Sequence, residues 1–143
     1  MKSIHSAVQP GTLLHVVSKM SALAGARQNL SPDGEFLQAC LVRLPLGKQL
    51  RPHRHRPLAR TSEITQEAWL IIAGKIESSY YDLDGQLLCR HLLGPGDCSV
   101  TFRGGHAFEV LEADTVIFEC KLGPYYGPER DLEYFEPAGP AAS

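Results

Sequence analysis

Gly47-Lys-Gln-Leu-Arg-Pro-His53-Arg-His55 is the stretch from which the fold and function of this chain are read. In an extended strand successive side chains alternate faces, so a strand here would put His53 and His55 on one side. Two imidazoles on one face are half of a metal site, because neutral histidine is a good ligand for borderline divalent ions. Such a site needs further ligands from elsewhere in the chain, carried by a scaffold of facing strands.

Outward from this pair the chain is punctuated by turns. Phe36 to Leu44 alternates loosely and predicts a strand, ended by Pro45-Leu-Gly47. Arg56 to Thr65 reads as a polar loop. Glu67 to Gly74 is a short apolar strand, continued from Lys75 to Tyr81; the Asp-Gly pair in Asp82–Gly85 closes a hairpin, and Gln86 to Leu93 returns. Gly94–Asp97 is another turn. Ser99–Phe102, His106–Leu111 and Thr115–Lys121 follow as strands, with a turn at Glu112–Asp114. About eight short strands with Gly, Pro and Asp turns between them predict an all-β sandwich or barrel. Three regions are expected: an N-terminal arm over 1–35, a β-barrel over 36–123 and a C-terminal wrap over 124–143 whose last residues are loose.

Composition narrows the function classes. At 143 residues, 43% hydrophobic and 21% charged, the chain suits one globular domain. A net charge of −2 argues against a nucleic-acid partner, and no apolar run is long enough for a membrane helix. His5, Gln9, His15 and Lys19 interrupt any export signal. Cys40, Cys89, Cys98 and Cys120 are widely spaced and read as reduced small hydrophobes, which points to a cytoplasmic protein.

Two residues are candidates to complete the ligand set. Glu67 opens the strand after the polar loop. His106 opens the strand after Gly104-Gly105, which lets the chain turn and aim an imidazole inward. Trp69 and Ile71 share the parity of Glu67, and Phe108 and Val110 that of His106, so these should line the interior. Arg51, on the parity of the histidine pair, is a candidate to hold a carboxylate or phosphate. Arg51, Trp69 and Phe108 are therefore candidate substrate contacts. His5, His15 and His91 match no motif and read as structural or solvated.

These residues resemble the motifs of the cupin family. Gly47, five residues, His53-x-His55 matches the start of the first motif, and Glu67, six residues, Gly74 matches its end. Between His55 and Glu67 lie eleven residues where the motif has three or four, so Glu63 and Gln66 rival Glu67, which keeps the count to Gly74. Gly96 to His106 approximates the second motif, with Phe102 in the place of its proline and the interval to the histidine one residue short. The resemblance covers about residues 36 to 122 and implies a double-stranded β-helix, the jelly roll. Its site would hold one divalent metal ion per chain, iron, manganese, nickel or zinc, on His53, His55, Glu67 and His106. Phe118 to Tyr125, Thr65 to Trp69 and Tyr81 to Gly85 look like the WbuC-type cupin-fold metalloproteins of surface-polysaccharide gene clusters. That likeness implies an enzyme acting on a small polar molecule, such as a sugar or sugar nucleotide, by isomerisation or epimerisation. An iron(II) dioxygenase and a non-catalytic binding protein share the ligand set, and relatives without metal use His and Tyr as acid and base. The family also implies a homodimer formed through an exchanged N-terminal strand.

Overall fold

The computed structural model describes residues 1–138. Ten strands carry the fold: β1 (Lys2–His5), β2 (Leu13–Ser18), β3 (Arg27–Asn29), β4 (Cys40–Val42), β5 (Glu67–Ala73), β6 (Ile76–Tyr81), β7 (Leu87–Leu93), β8 (Cys98–Thr101), β9 (Gly105–Val110) and β10 (Val116–Lys121). One helical turn, α1 (Pro128–Asp131), follows them. The chain is thus nearly all β, as the turn spacing predicts.

A five-stranded antiparallel sheet runs β1-β2-β8-β5-β10, and a three-stranded antiparallel sheet runs β7-β6-β9. They pack face to face, because one core joins Ile4, Val17, Trp69 and Ile71 of the first sheet to Ile76, Tyr80 and Leu93 of the second. The other face of the larger sheet is also covered. Val16, Cys98 and Val100 pack there with Leu30 and Phe102, against partly buried Leu37, Ala39 and Leu41. Val16 and Val17 are therefore both buried, on opposite faces. Among the described residues no strand pairing joins the two sheets, so the sandwich is not a closed barrel.

The N-terminal region differs from the expected arm. Residues 1–35 supply β1 and β2, and β2 pairs with β8 in the middle of the main sheet. Leu14 to Ser18 is buried throughout, so it lacks the polar alternation by which a half-exposed strand is recognised. The expected strand over 36–44 shortens to β4, paired with β3. Of the expected C-terminal wrap, residues up to 138 include α1 and Phe135, whose ring meets Tyr81 edge-on at 5.4 Å; residues 139–143 lie outside the described residues.

Tight connections fix the strands relative to each other. β5 passes to β6 through Gly74, at φ 76°, where a Cβ would lie 2.2 Å from the Thr115 hydroxyl. Only glycine meets both demands. The buried Asp82 carboxylate ties the β6–β7 hairpin to the β1–β2 turn by accepting from Ser6 Oγ at 2.5 Å and Ala7 N at 2.6 Å. Asp97 plays the same part before β8, accepting from Lys19 Nζ at 2.7 Å and Met20 N at 2.9 Å. Burial alone would raise both carboxyls, but these donors outweigh it and hold them below their ordinary value.

Candidate functional site

Glu67 starts β5 and His106 lies near the start of β9, on opposite sheets of the sandwich. Their side chains meet across it, Glu67 Oε1 standing 3.4 Å from His106 Nε2. The turn that delivers His106 depends on Gly104, at φ 77°, where a Cβ would lie 2.6 Å from the Tyr81 carbonyl oxygen. Trp69, on the same face as Glu67, packs edge-on against both His106, at 4.8 Å between ring centroids, and Phe108, at 5.2 Å. Trp69 is buried, whereas Phe108 is half open to solvent because β9 is an edge strand.

The electrostatics favour a charged carboxylate. Burial would raise the Glu67 carboxyl, but His106, the Trp69 indole and the Lys121 ammonium together hold it below its ordinary value. Lys121 is the cross-strand neighbour of Glu67, and its ammonium lies over the Tyr125 ring at 4.3 Å and 3.9 Å from Asp131. The indole N–H helps hold the carboxyl down yet completes no hydrogen bond of its own. Trp69 Nε1 and His106 Nδ1 are both buried without a hydrogen-bond partner. Unpaired polar atoms of this kind cost stability and tend to mark places where a water, ion or ligand completes the set.

A second histidine backs the site. His15 on β2 is fully buried and is the cross-strand neighbour of Thr101, which in turn neighbours Glu67. The Tyr81 carbonyl can only accept, so His15 Nε2 carries the proton across 3.3 Å, and Nδ1 accepts from the Thr101 hydroxyl at 3.1 Å. Burial drives the His15 pKa down to about 4, so the ring is neutral at neutral pH. The Thr101 proton is thereby committed to His15, leaving Glu67 to His106, Trp69 and Lys121.

The expected ligand set is brought together only in part. His53 and His55 lie in a segment, 43–66, that contains no strand or helix and is exposed from 43 to 65. Their rings stand 5.6 Å apart edge-to-face, and His53 Nδ1 donates to the Arg51 carbonyl at 2.9 Å. The expected same-face strand is absent for a local reason: Pro45, Pro52 and Pro57 remove backbone donors from the run. Arg51 is exposed with it. Among the described residues no group of three or more His, Cys, Asp or Glu side chains is placed to hold a metal ion.

The three rivals for the carboxylate position separate clearly. Gln66 is buried and occupied, its amide donating to Glu35 Oε2 at 2.6 Å and accepting from Leu37 N at 2.8 Å. Arg103 completes this knot by donating to Glu35 Oε1 at 2.8 Å. Glu63 is exposed and lines a shallow concavity of about 340 Å³ with Phe36 and Arg103. Glu67 alone of the three meets His106. Sequence reasoning passed over His15, Thr101 and Lys121. A histidine inside the apolar run Leu13-Leu14-His15-Val16-Val17 was the available signal for the first.

The four cysteines are free, and Cys98 is buried with its thiol pushed up to about 11 by desolvation, which leaves it protonated and inert. No helix is long and apolar enough to cross a membrane among the described residues. Compared with known protein families, curated proteins and solved structures, the chain finds no match in any of the three.

Proposed function

We propose that this is a metal-binding protein of the cupin type in which Glu67 and His106 form the inner half of the site and His53 and His55 supply the outer half. The observation that carries the reading is the meeting of Glu67 and His106 across the sandwich beside two buried, unpaired polar atoms. An oxygen and a nitrogen donor 3.4 Å apart suit a borderline divalent ion such as iron(II), manganese, nickel or zinc. The remaining donors are on segment 43–66, which has no regular structure of its own to give up when it folds over the Glu67–His106 pair. When bound, the ion would act as a Lewis acid on a small polar substrate such as a sugar or sugar nucleotide. Beside the pair the buried Trp69 ring excludes water, His106, Trp69 and Lys121 keep the Glu67 carboxylate charged, and the His15–Thr101 pair backs the site.

Elemental analysis of the purified protein, with metal titration of wild type and variants, tests this reading. About one ion per chain is expected, lost in Glu67→Gln and in His53→Ala/His55→Ala. Wild-type protein that takes up no stoichiometric metal, or a double histidine variant that binds it unchanged, overturns the proposal. A second reading has an observation of its own: Glu67 and His106 already touch while His53 and His55 stand apart, an arrangement suited to metal-free proton transfer. It expects activity on a sugar substrate to survive chelation and the loss of His53 and His55, yet to vanish in His106→Gln. The dioxygenase alternative uses the same ligands and is separated by oxygen consumption under iron reconstitution.

A further inference from the structure

Between Glu35 and Glu63 the chain contains no acidic residue, yet it carries Arg43, Lys48, Arg51, Arg54, Arg56 and Arg60. With 14 cationic and 16 acidic residues in all, these six leave 8 cationic against 16 acidic elsewhere, so a run of +6 is attached to a remainder of −8. All six side chains belong to exposed residues. Among the described residues none of them forms an ion pair, while Lys19, Lys75, Arg90, Arg103 and Lys121 outside the run all do. The only backbone hydrogen bond closed within residues 44–60 is the turn from Lys48 N to the Pro45 carbonyl, again among the described residues. Like charges at this density repel one another and hold the segment open.

We infer that segment 43–60 is an anion-binding strap whose ligand is a small phosphate-bearing molecule. Guanidinium groups recognise phosphate oxygens in paired hydrogen bonds, and Arg51, Arg54 and Arg56 alternate with His53 and His55 along one short run. A phosphate bound there neutralises the repulsion that keeps the segment unfolded, and so draws the strap into order. The size of the ligand follows from the charge of the remainder. A small anion can engage the Arg51–Arg56 run alone, whereas a long polyanion extends beyond about 10 Å onto a body of −8 and is repelled. The inference rests on the metal-site reading only for the link between strap and substrate, since a phosphate held by the arginines would stand beside the histidines that complete the site.

The test uses the full chain freed of metal and inorganic pyrophosphate as the probe, by titration calorimetry at two salt concentrations. Saturable binding is expected that weakens as salt rises, and Arg51→Gln/Arg54→Gln/Arg56→Gln should weaken it by about tenfold or more. Lys75→Gln/Arg90→Gln, which removes two cations outside the strap, should bind as wild type. Thermal unfolding of the triple variant should match wild type because all three arginines are exposed; if it does not, Arg54→Gln alone carries the comparison. No saturable binding, equal loss in both multiple variants, or tighter binding of a single-stranded DNA oligonucleotide than of pyrophosphate overturns the inference. Retained pyrophosphate binding in a protein that takes up no metal leaves the strap standing and removes the metal site; the converse result does the opposite.

Discussion

The interior of the sandwich and segment 43–66 each hold a pair of histidines, and the chain treats them in opposite ways. His15 and His106 are carried on β2 and β9, whose backbones are paired and whose positions are set by Thr101, Tyr81, Trp69 and Glu67. His53 and His55 are carried by a run with three prolines and six cations, and both rings are exposed. The difference teaches that side-chain chemistry alone does not place a ligand. A histidine is held where its backbone has a partner strand, and left free where proline and charge deny it one.

Truncations at the two regions should differ most. Ile71 is fully buried between the sheets, and Ile71→Ala should cost about 2 to 5 kcal/mol by urea denaturation, whereas Leu46→Ala, at a fully exposed side chain of the segment, should stay within about 0.5 kcal/mol. A comparable loss at Leu46 would mean that the segment is packed in solution and would break the contrast.

Proton linkage gives the next largest effect. Folding lowers the His15 pKa from 6.5 to about 4, so between these values the unfolded chain binds the proton and the folded one does not. Stability supplied by the neutral ring is complete above pH 6.5 and is lost as pH falls to about 4, an effect of about 3 kcal/mol. His91 is shifted the same way, by burial first and then by Lys2 and Lys19, and adds to the slope. Denaturation from pH 7 to 4 should show this fall, and His15→Gln should flatten much of it. An unchanged slope in the variant would place His15 in contact with water.

Glycine replacements sharpen the comparison at a smaller scale. Gly47 and Gly104 both have positive φ, 76° and 77°, but nothing lies within 4 Å of a Cβ at Gly47, while one at Gly104 meets the Tyr81 carbonyl at 2.6 Å. Gly104→Ala should cost about 2 kcal/mol or more and Gly47→Ala about 1 kcal/mol, the difference measuring the packing around His106. Equal costs would show that backbone conformation alone sets both.

Much of the fold was legible because its turns are written in Gly, Pro and Asp. The hairpin at Asp82–Gly85, the turn at Gly94–Asp97 and the run from Glu67 to Tyr81 are where the spacing puts them. β2 was missed because both of its faces are buried, which erases the alternation used to recognise a strand. The site was half legible. Parity put Glu67 and Trp69 on one face and His106 with Phe108 on another, and these four side chains do converge. Lys121 was not legible, since its closeness to Glu67 comes from strand register between residues far apart in the chain.

By itself the sequence determined the all-β class, the turn positions and the inward parity of Glu67, Trp69 and His106, because each depends on local backbone preference or on the two-residue period of a strand. Tertiary structure decided which carboxylate meets His106, that β2 lies at the heart of the main sheet, and that His15 is buried and neutral. Those outcomes depend on strand pairing and burial across long sequence separations, which no local pattern encodes.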